Sequence, residues 1–142
     1  MAQEYDQLKL ETQLCFPLYA CSRQIVSSYT PYLKPLGLTY TQYIVLMVLW
    51  EKEKVTVGEL GSELHLDAGT LTPLLKGFEK KRYVTRHRLE SDERVTQVCI
   101  TEEGAALKES CKDIPGKVAS QVKALDKDEA DELYRLLYKM IG

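Results

Sequence analysis

The stretch that decides the fold is TVGELGSELHLDAGTLTPLLKGFEKKR, residues 56–82. Thr56 followed by Glu59 has the spacing of a capping box, which predicts that a short helix begins here. A turn follows, and Asp67 is placed to cap a second helix over Ala68–Arg82. Two short helices joined by a tight turn are typical of a helix-turn-helix, so the sequence predicts that motif.

The residues after this motif change to a period of two, which is the pattern of a β-strand. Tyr83–Arg88 and Val95–Ile100 both alternate, and the polar turn Glu90–Glu93 separates them. This pattern predicts a β-hairpin with a charged tip. A helix-turn-helix followed by a basic hairpin is a winged helix, so we expect a mainly α fold with a small β-hairpin wing, the winged helix covering residues 55–100.

Basic residues are concentrated in this part of the chain. The 142 residues carry a net charge of −2, which does not by itself indicate nucleic-acid binding. Between Thr70 and Arg94, however, seven basic residues face four acidic ones, a net charge of +3 that leaves −5 for the rest of the chain. Local positive charge on a winged helix predicts a transcription regulator that binds duplex DNA.

The candidate DNA-binding residues lie on the second helix and on the wing. A recognition helix enters the major groove, while a wing reaches the flanking backbone or the minor groove. The candidates are Thr70, Thr72 and Lys76 on the helix and Arg86, Arg88, Asp92 and Arg94 on the wing, where Asp92 can orient the Arg94 guanidinium. A winged helix that contacts only protein is the alternative interpretation.

Helices are also predicted on both sides of the winged helix. An apolar stripe predicts a first helix over Leu8–Tyr29, in which Pro17 marks either a kink or a restart. A connector follows at Pro31, Pro35 and Gly37. The other predicted helices are Tyr40–Glu51, capped by Thr39 and Gln42, a helix from Glu102 that Pro115-Gly116 interrupts, and Lys127–Ile141, with Ala130, Leu133, Leu136, Leu137 and Met140 on its buried side.

The apolar stripes of these outer helices exceed what a small winged helix can cover. We therefore expect one domain over residues 1–142, with dimerisation helices in 8–38 and 102–142 and a DNA-binding lobe in 39–101. Packing across a two-fold axis presents two recognition helices about one DNA turn apart. This arrangement predicts a homodimer that binds a pseudo-palindromic site.

The cysteines and the start of the chain bear on compartment and cofactors. Cysteines occur at 15, 21, 99 and 111, with no CxxC pair and no spacing typical of a structural zinc site, so we expect no metal and no cofactor. The first residues lack the features of a signal peptide, and the longest apolar run, Tyr43–Trp50, is too short to span a bilayer. We expect a cytoplasmic protein with free thiols.

The sequence resembles MarR-type repressors over essentially the whole chain. The stretches that carry the resemblance are QLCF (13–16), LTYTQY (38–43), LDAGTLTPLLK (66–76) and SDER (91–94). Within the family they are similar to the branch that senses organic hydroperoxides, OhrR. Cys15 together with Tyr19, Tyr29 and Tyr40 is the feature that distinguishes this branch.

The resemblance implies a redox sensor at Cys15. In that branch the cysteine near the start of the first helix reacts with peroxide, and tyrosines that match Tyr29 and Tyr40 come from the partner subunit and hydrogen-bond to it. Spacing is compatible with this arrangement, because on one unbroken helix Cys15 and Tyr29 would be about 21 Å apart. Tyr19, four residues after Cys15, can share its face within one chain.

Several alternatives to this sensor are open at this stage. A cysteine on an apolar stripe is often only a small hydrophobic residue, which is the interpretation given to Cys21, Cys99 and Cys111. Cys111 precedes the Pro115-Gly116 break, so it could instead be exposed enough to resolve an oxidised Cys15. Cys111 does not fall near Ser120, where a resolving cysteine is expected, so a single-cysteine mechanism ending in a mixed disulfide with a small thiol is favoured. The inducer could instead be a non-covalent aromatic ligand, or the chain could be a thiol peroxidase.

Overall fold

The computed structural model describes residues 4–120 and 123–142 of the chain. These residues form a mainly helical structure with one small antiparallel sheet, as the sequence predicted. The helices are α1 (Cys15–Leu33), α2 (Tyr40–Lys52), α3 (Val57–Leu64), α4 (Ala68–Lys80), α5 (Glu102–Cys111), α6 (Ile114–Ala119) and α7 (Lys127–Ile141), and the strands are β1 (Lys54–Thr56), β2 (Val84–Leu89) and β3 (Asp92–Ile100). None of the described helices is long and apolar enough to cross a membrane.

The chain divides into two units, one made of residues 32–112 and the other of residues 1–31 with 113–142. In the first unit, α2 contacts α3, α5, β1 and β3. This helix is apolar nearly all round, and it buries Tyr43, Val45, Leu46, Val48 and Leu49. Since burying one large aliphatic side chain contributes about 1.5–3 kcal/mol, α2 is the centre of the core of this unit.

Short polar side chains start the helices of this unit where the sequence predicted. The capping box of α2 is complete, since the Gln42 N–H donates to Thr39 Oγ1 and the Gln42 side chain accepts from the Thr39 N–H. Thr56 accepts from the Glu59 N–H at the start of α3, at 3.0 Å. Asp67 accepts from the Thr70 N–H at the start of α4, at 2.8 Å. Each bond satisfies an amide that would otherwise have no partner in its helix.

The wing is part of a three-stranded sheet, which corrects the two-stranded hairpin that the sequence predicted. The strand order is β1-β3-β2, and both pairs are antiparallel. Strand β1 has only three residues, Lys54–Thr56, so its alternation is too short to be recognised in the sequence. The recognition helix α4 also ends at Lys80 and not at Arg82, because Arg82 adopts a left-handed conformation with φ of 64° that turns the chain into β2.

Gly104 allows α5 to lie close to the start of the wing. A Cβ at this position would lie 2.2 Å from the Tyr83 carbonyl oxygen and 2.9 Å from Ile100 Cγ1, so only glycine fits. The Gly104 carbonyl also accepts a hydrogen bond from Trp50 Nε1, at 2.9 Å. This glycine therefore joins α2, α5 and the sheet at one point.

The first helix of the second unit begins later than predicted. Two short 3-10 turns, Asp6–Leu8 and Leu10–Thr12, precede it, and α1 runs from Cys15 to Leu33. The prediction of a helix over Leu8–Tyr29 was therefore wrong at both ends. Pro17 lies in the first turn of α1, where a missing N–H costs nothing, and this position selects the restart over the kink. Pro31 lies inside the helix, not in the connector.

The predicted break in the helix that follows the wing is also displaced. Helix α5 ends at Cys111 and α6 begins at Ile114, so the interruption falls at residues 112–113. Pro115 occupies the first turn of α6, a position where proline starts helices and does not interrupt them. The sequence therefore located the interruption a few residues too late.

The last helix, α7, has the predicted bounds, but its apolar side is not buried within the chain. Asp126 caps it with a complete capping box, since Asp126 and Glu129 each accept the other's backbone N–H. No residue of α7 is buried. Apart from Leu137, which is half-buried, the side chains that the sequence assigned to the buried face are exposed: Ala130, Leu133, Leu136 and Met140.

Candidate nucleic-acid interface and thiol site

A groove of about 930 Å³ separates the helix-turn-helix from the wing, all within residues 56–96. Helices α3 and α4 form one side of it, and strands β2 and β3 form the other. Five of the seven predicted DNA-binding residues line this groove: Thr72, Lys76, Arg86, Arg88 and Arg94. Thr70 and Asp92 lie outside its lining. Thr70 directly precedes the lining residue Leu71, and Asp92 accepts hydrogen bonds from the lining residue Arg94.

The helical side of the groove presents hydroxyl and amine groups. Thr70 is exposed in the first turn of α4, where Asp67 caps the helix. Thr72 is half-buried, and Lys76 is exposed one turn later. Pro73 and Gly77 both lie inside α4 without interrupting it, so these side chains project from one continuous helix.

The tip of the wing is held by Asp92. Its carboxylate accepts from Arg94 Nε at 3.1 Å, from Arg94 Nη2 at 3.2 Å and from the Arg94 backbone N–H at 3.0 Å. The side-chain bonds, followed by the backbone bond, hold the pKa of Asp92 below its ordinary value. The Arg94 side chain is 91% exposed in spite of this pairing, so its remaining donors face solvent. The sequence predicted this orientation of Arg94 by Asp92.

The two other wing arginines differ in what they contact. Arg88 Nη1 donates to the Glu93 carbonyl oxygen at 2.6 Å, across the point where the register of β2 and β3 shifts after Arg88. Arg86 Nη2 contacts Glu79 Oε1 at 3.1 Å, and only 20% of the Arg86 side chain is exposed. Arg88 therefore supports the wing and remains exposed, whereas Arg86 is already paired with an acid.

The sequence reasoning missed the contribution of α3, the first helix of the helix-turn-helix, to the groove. Thr56 and Ser62 line it together with Gly58 and Gly61. Gly61 is required here, because a Cβ would lie 2.6 Å from the Leu66 carbonyl oxygen in the turn between α3 and α4. The available signal in the sequence was Ser62, a polar residue two positions after the apolar Leu60 on the same helix. Leu60 is buried and Ser62 is exposed.

Cys15 lies at the first residue of α1 and is exposed as a free thiol. Tyr19 follows at the fourth residue along, on the same face of the helix, and its ring is also exposed. The Arg23 guanidinium lies 5.5 Å from the centre of the Tyr19 ring, a cation–π contact that the sequence reasoning did not anticipate. One helix face thus carries a thiol, a phenol and a cation in consecutive turns.

The unbroken helix separates Cys15 from Tyr29 of the same chain. Since α1 runs continuously from Cys15 to Leu33, these two residues are about 21 Å apart along its axis. Tyr29 is half-buried, and Tyr40, the first residue of α2, is half-buried with its ring 6.2 Å from that of Tyr43. A contact between Cys15 and Tyr29 therefore requires a second chain.

The other cysteines differ sharply in exposure. Cys111 is 2% exposed, and burial raises the pKa of its thiol, so the possibility that it is exposed enough to resolve an oxidised Cys15 is wrong for this chain. Cys21 is exposed, which corrects the expectation that it is a buried hydrophobic residue. Cys99 is half-buried in β3, opposite Lys54 and Thr85. Within residues 4–120 and 123–142, no group of three potential ligands could hold a metal ion.

Comparison with known proteins identifies relatives that cover almost the whole chain. Residues 27–111 match the family described as Transcriptional regulator SarA/Rot. The chain is 45% identical over 141 residues to the organic hydroperoxide resistance transcriptional regulator of Bacillus subtilis (strain 168), a match that covers 99% of this chain and 95% of the relative.

Solved structures of two further proteins, both determined with DNA, have the same fold. Overoxidised AbfR bound to DNA is 35% identical, with a TM-score of 0.77 and coverage of 99% of this chain and 97% of that one; AbfR is a protein of Staphylococcus epidermidis. Reduced AbfR has also been solved bound to DNA, at a TM-score of 0.77. A cysteine-to-serine mutant of E. coli MarR with operator DNA is 30% identical, with a TM-score of 0.81 and coverage of 91% and 94%.

The matched family and the Bacillus subtilis relative are transcriptional regulators, and the AbfR and MarR structures hold DNA, which favours a regulator over the thiol peroxidase alternative. The winged helix, with its basic groove, is the part that the family match covers most fully. The chain belongs to the SarA/Rot family of MarR-type winged-helix transcriptional regulators and is a homologue of the organic hydroperoxide resistance regulator.

Proposed function

We propose that the chain is a redox-responsive repressor. As a homodimer it binds pseudo-palindromic operator DNA, and oxidation of Cys15 by an organic hydroperoxide releases it. The observation that carries the proposal is the groove between α4 and the wing, in which Lys76, Arg88 and Arg94 meet on one surface of an otherwise acidic chain. The sensor rests on the exposed thiol at the start of α1.

The groove has the features of a surface for duplex DNA. Thr70 and Thr72 lie in the first turns of a capped recognition helix, where side chains reach base edges in the major groove. Lys76 and the wing arginines supply phosphate contacts, which provide most of the affinity of such proteins. Structures of AbfR and MarR with DNA support this partner. A repressor of this kind acts in the cytoplasm, where the DNA is.

The homodimer rests on apolar side chains that the single chain leaves exposed. Leu10, Leu14 and Phe16 are exposed near the start of the chain, as are Leu133 and Leu136 on α7. Residues 8–38 and 102–142 would then be the dimerisation helices, and residues 39–101 the DNA-binding lobe. A two-fold axis between them presents two copies of α4 to half-sites about 34 Å apart, one turn of DNA.

The same dimer completes the thiol site. We place Tyr29 and Tyr40 of the partner subunit beside Cys15, because Tyr29 of the same chain is about 21 Å away along α1. Tyr19 stays on the helix face of Cys15 within one chain. The phenol hydroxyls then donate hydrogen bonds to the sulfur, and such bonds favour a thiolate over a thiol.

The sensing step is the reduction of a hydroperoxide by this thiolate. The sulfur attacks the terminal peroxide oxygen, the S–O bond forms as the O–O bond breaks, and the peroxide leaves as an alcohol after taking up one proton. Cys15 becomes a sulfenic acid, a two-electron oxidation. A low-molecular-weight thiol then condenses with it, forming a mixed disulfide and releasing water.

Release of DNA follows from the size of the oxidised side chain. A mixed disulfide adds a whole second thiol at Cys15 and does not fit among three tyrosines, so the dimer helices shift and the spacing of the two copies of α4 changes. Since each copy must fit its half-site, a small change in spacing weakens binding strongly. The buried Cys111 takes no part in this single-cysteine mechanism.

The test is a DNA-binding titration of the reduced protein with and without an organic hydroperoxide and a small thiol. We expect oxidation to weaken operator binding by wild type and by Cys21→Ser, a control at the other exposed cysteine of α1, and to leave Cys15→Ser unaffected. An unchanged affinity of the oxidised wild type would contradict the sensor. Induction of Cys15→Ser by an aromatic acid would favour a non-covalent ligand.

A further inference from the structure

Glu79 is an acidic residue in the most basic part of the chain, and it lies in the last turn of α4. Its side chain pairs with Arg86 of β2, with Arg86 Nη2 donating to Glu79 Oε1 at 3.1 Å. The pair therefore joins the recognition helix directly to the wing. Glu79 is not part of the lining of the DNA groove, whereas Arg86 is.

Backbone hydrogen bonds fix the start of the corner between α4 and the wing. The Arg82 N–H donates to the Glu79 carbonyl at 3.0 Å, and the Tyr83 N–H donates to the Phe78 carbonyl at 2.9 Å. The rings of Phe78 and Tyr83 also meet edge to face, with centroids 5.9 Å apart. The ion pair to Arg86 lies three residues further along the wing and is a second link between wing and helix.

The Arg86 head is held partly out of water. Its side chain is 20% exposed, and among the described residues its Nε is buried and has no hydrogen-bond partner. The residue opposite it in the sheet is Val98, which is fully buried. A guanidinium in this position needs a counter-ion, because a charge that has lost water and has no partner is unfavourable. Glu79 supplies that counter-ion.

We propose that Glu79 is a positioning residue for DNA binding, acting through its ion pair with Arg86 to fix the wing against the recognition helix. This inference rests on the proposed DNA-binding function. With the pair intact, Arg86 and Arg88 stay at a set distance from Lys76 across the groove. Without it, Arg86 turns toward solvent and the angle of the wing is no longer fixed.

If Glu79 acted only through its charge, its removal would change the DNA affinity in the opposite direction. Removal of a negative charge near the phosphates strengthens binding if the residue acts only through the field of the protein. Removal of a positioning contact weakens binding to the specific site and leaves non-specific binding almost unchanged. The sign of the effect of Glu79→Gln therefore separates the two roles.

The experiment uses the reduced full-length protein and a duplex selected from a random-sequence library by the wild type, with a scrambled duplex of equal length. We expect Glu79→Gln to weaken binding to the selected duplex by about three- to tenfold. Binding to the scrambled duplex should be unchanged or tighter. The control is Glu90→Gln, which removes the same charge from the exposed hairpin turn and should not weaken binding to either duplex.

A double-mutant cycle excludes a simple folding defect. In an Arg86→Gln background the pair is already absent, so Glu79→Gln should now strengthen binding or leave it unchanged. Thermal unfolding of each variant, followed by circular dichroism, should remain cooperative. Equal weakening by Glu79→Gln in both backgrounds would overturn the proposal, as would equal losses on the selected and scrambled duplexes.

Failure of this inference can be distinguished from failure of the proposed function. If the wild type selects no sequence and binds all duplexes weakly, DNA recognition itself is wrong. If the wild type binds its selected duplex and Glu79→Gln binds it equally or more tightly, only the positioning role is overturned.

Discussion

At the scale of single residues, the wing depends on how Asp92 orients Arg94. Three hydrogen bonds join them, and Arg94 still exposes most of its side chain to solvent. A flexible arginine loses side-chain entropy when it binds phosphate, and a side chain that is already oriented loses less. We therefore propose that Asp92 promotes DNA binding, although its negative charge repels phosphate.

We predict that Asp92→Asn weakens operator binding by about three- to tenfold, because an amide cannot accept both guanidinium bonds as a carboxylate does. Fluorescence anisotropy with labelled operator measures this. Glu90→Gln is again the matched control for loss of one negative charge in the hairpin. Equal affinity of Asp92→Asn and wild type would show that Arg94 needs no orienting partner.

The Asp92–Arg94 pair also has a defined pH dependence. Because Arg94 lowers the pKa of Asp92 in the folded chain, the stabilisation is complete above the ordinary range of an aspartate. It is lost only as the pH falls through the lowered, folded-state value. We predict that the wing contribution to operator binding is constant around neutral pH, which titrations at several pH values can check against Asp92→Asn.

The cysteines show what residue-level pattern reasoning could reach. Cys15 and Cys21 both fall within the first predicted helix, and only the resemblance to a family singled out Cys15. The exposure of Cys21 and the burial of Cys111 depend on which elements pack around them, and no local pattern encodes that. Arg23 over the Tyr19 ring was visible as an i+4 spacing and was overlooked.

At the scale of elements, the junction of α2, α5 and the sheet depends on Gly104. We predict that Gly104→Ala lowers the free energy of unfolding by about 1–3 kcal/mol, because the new Cβ overlaps the Tyr83 carbonyl oxygen. Chemical denaturation measures this. Gly77→Ala is the contrasting variant: it lies inside α4 with nothing within 4 Å of a new Cβ. It should raise the stability by about 0.5–1 kcal/mol.

A stable Gly104→Ala protein would mean that α5 can move away from the wing without cost. The two glycines look alike in the sequence, since both lie in predicted helices. They differ only in the atoms that surround each backbone: Gly104 lies against the Tyr83 carbonyl oxygen, and Gly77 has open space. The helix starts, in contrast, were predictable, because a cap needs only residues three apart.

At the scale of the whole molecule, the exposed apolar side of α7 supports the proposed homodimer. Leu136 and Met140 are exposed there, while Arg135 lies on the side of the helix away from the apolar stripe, where it pairs with Glu132. We predict that Leu136→Glu shifts the protein to monomers and abolishes operator binding, because a carboxylate in an apolar interface loses its hydration. Analytical ultracentrifugation measures the shift.

Arg135→Gln changes the net charge by the same amount, on the side of α7 away from the apolar stripe, and should leave the dimer intact. If Leu136→Glu remained a dimer, α7 would not be part of the interface. Loss of DNA binding with an intact dimer would place α7 in the DNA-binding surface.

The sequence by itself determined the order of the helices and the hairpin, the caps that start the helices and the concentration of positive charge between Thr70 and Arg94. These are local properties, because periodicity and capping involve residues a few positions apart. It also indicated the fold through the turn at 65–66 and the hairpin that follows.

The tertiary structure decided what depends on distant residues. It added β1, which forms because Lys54–Thr56 can pair with β3. It placed Glu79 against Arg86 and put Thr56 and Ser62 in the same groove as Lys76. It also buried Cys111 and left α7 exposed. Burial and long-range pairing are set by packing between elements that are distant in the sequence, so the pattern of any single segment cannot predict them.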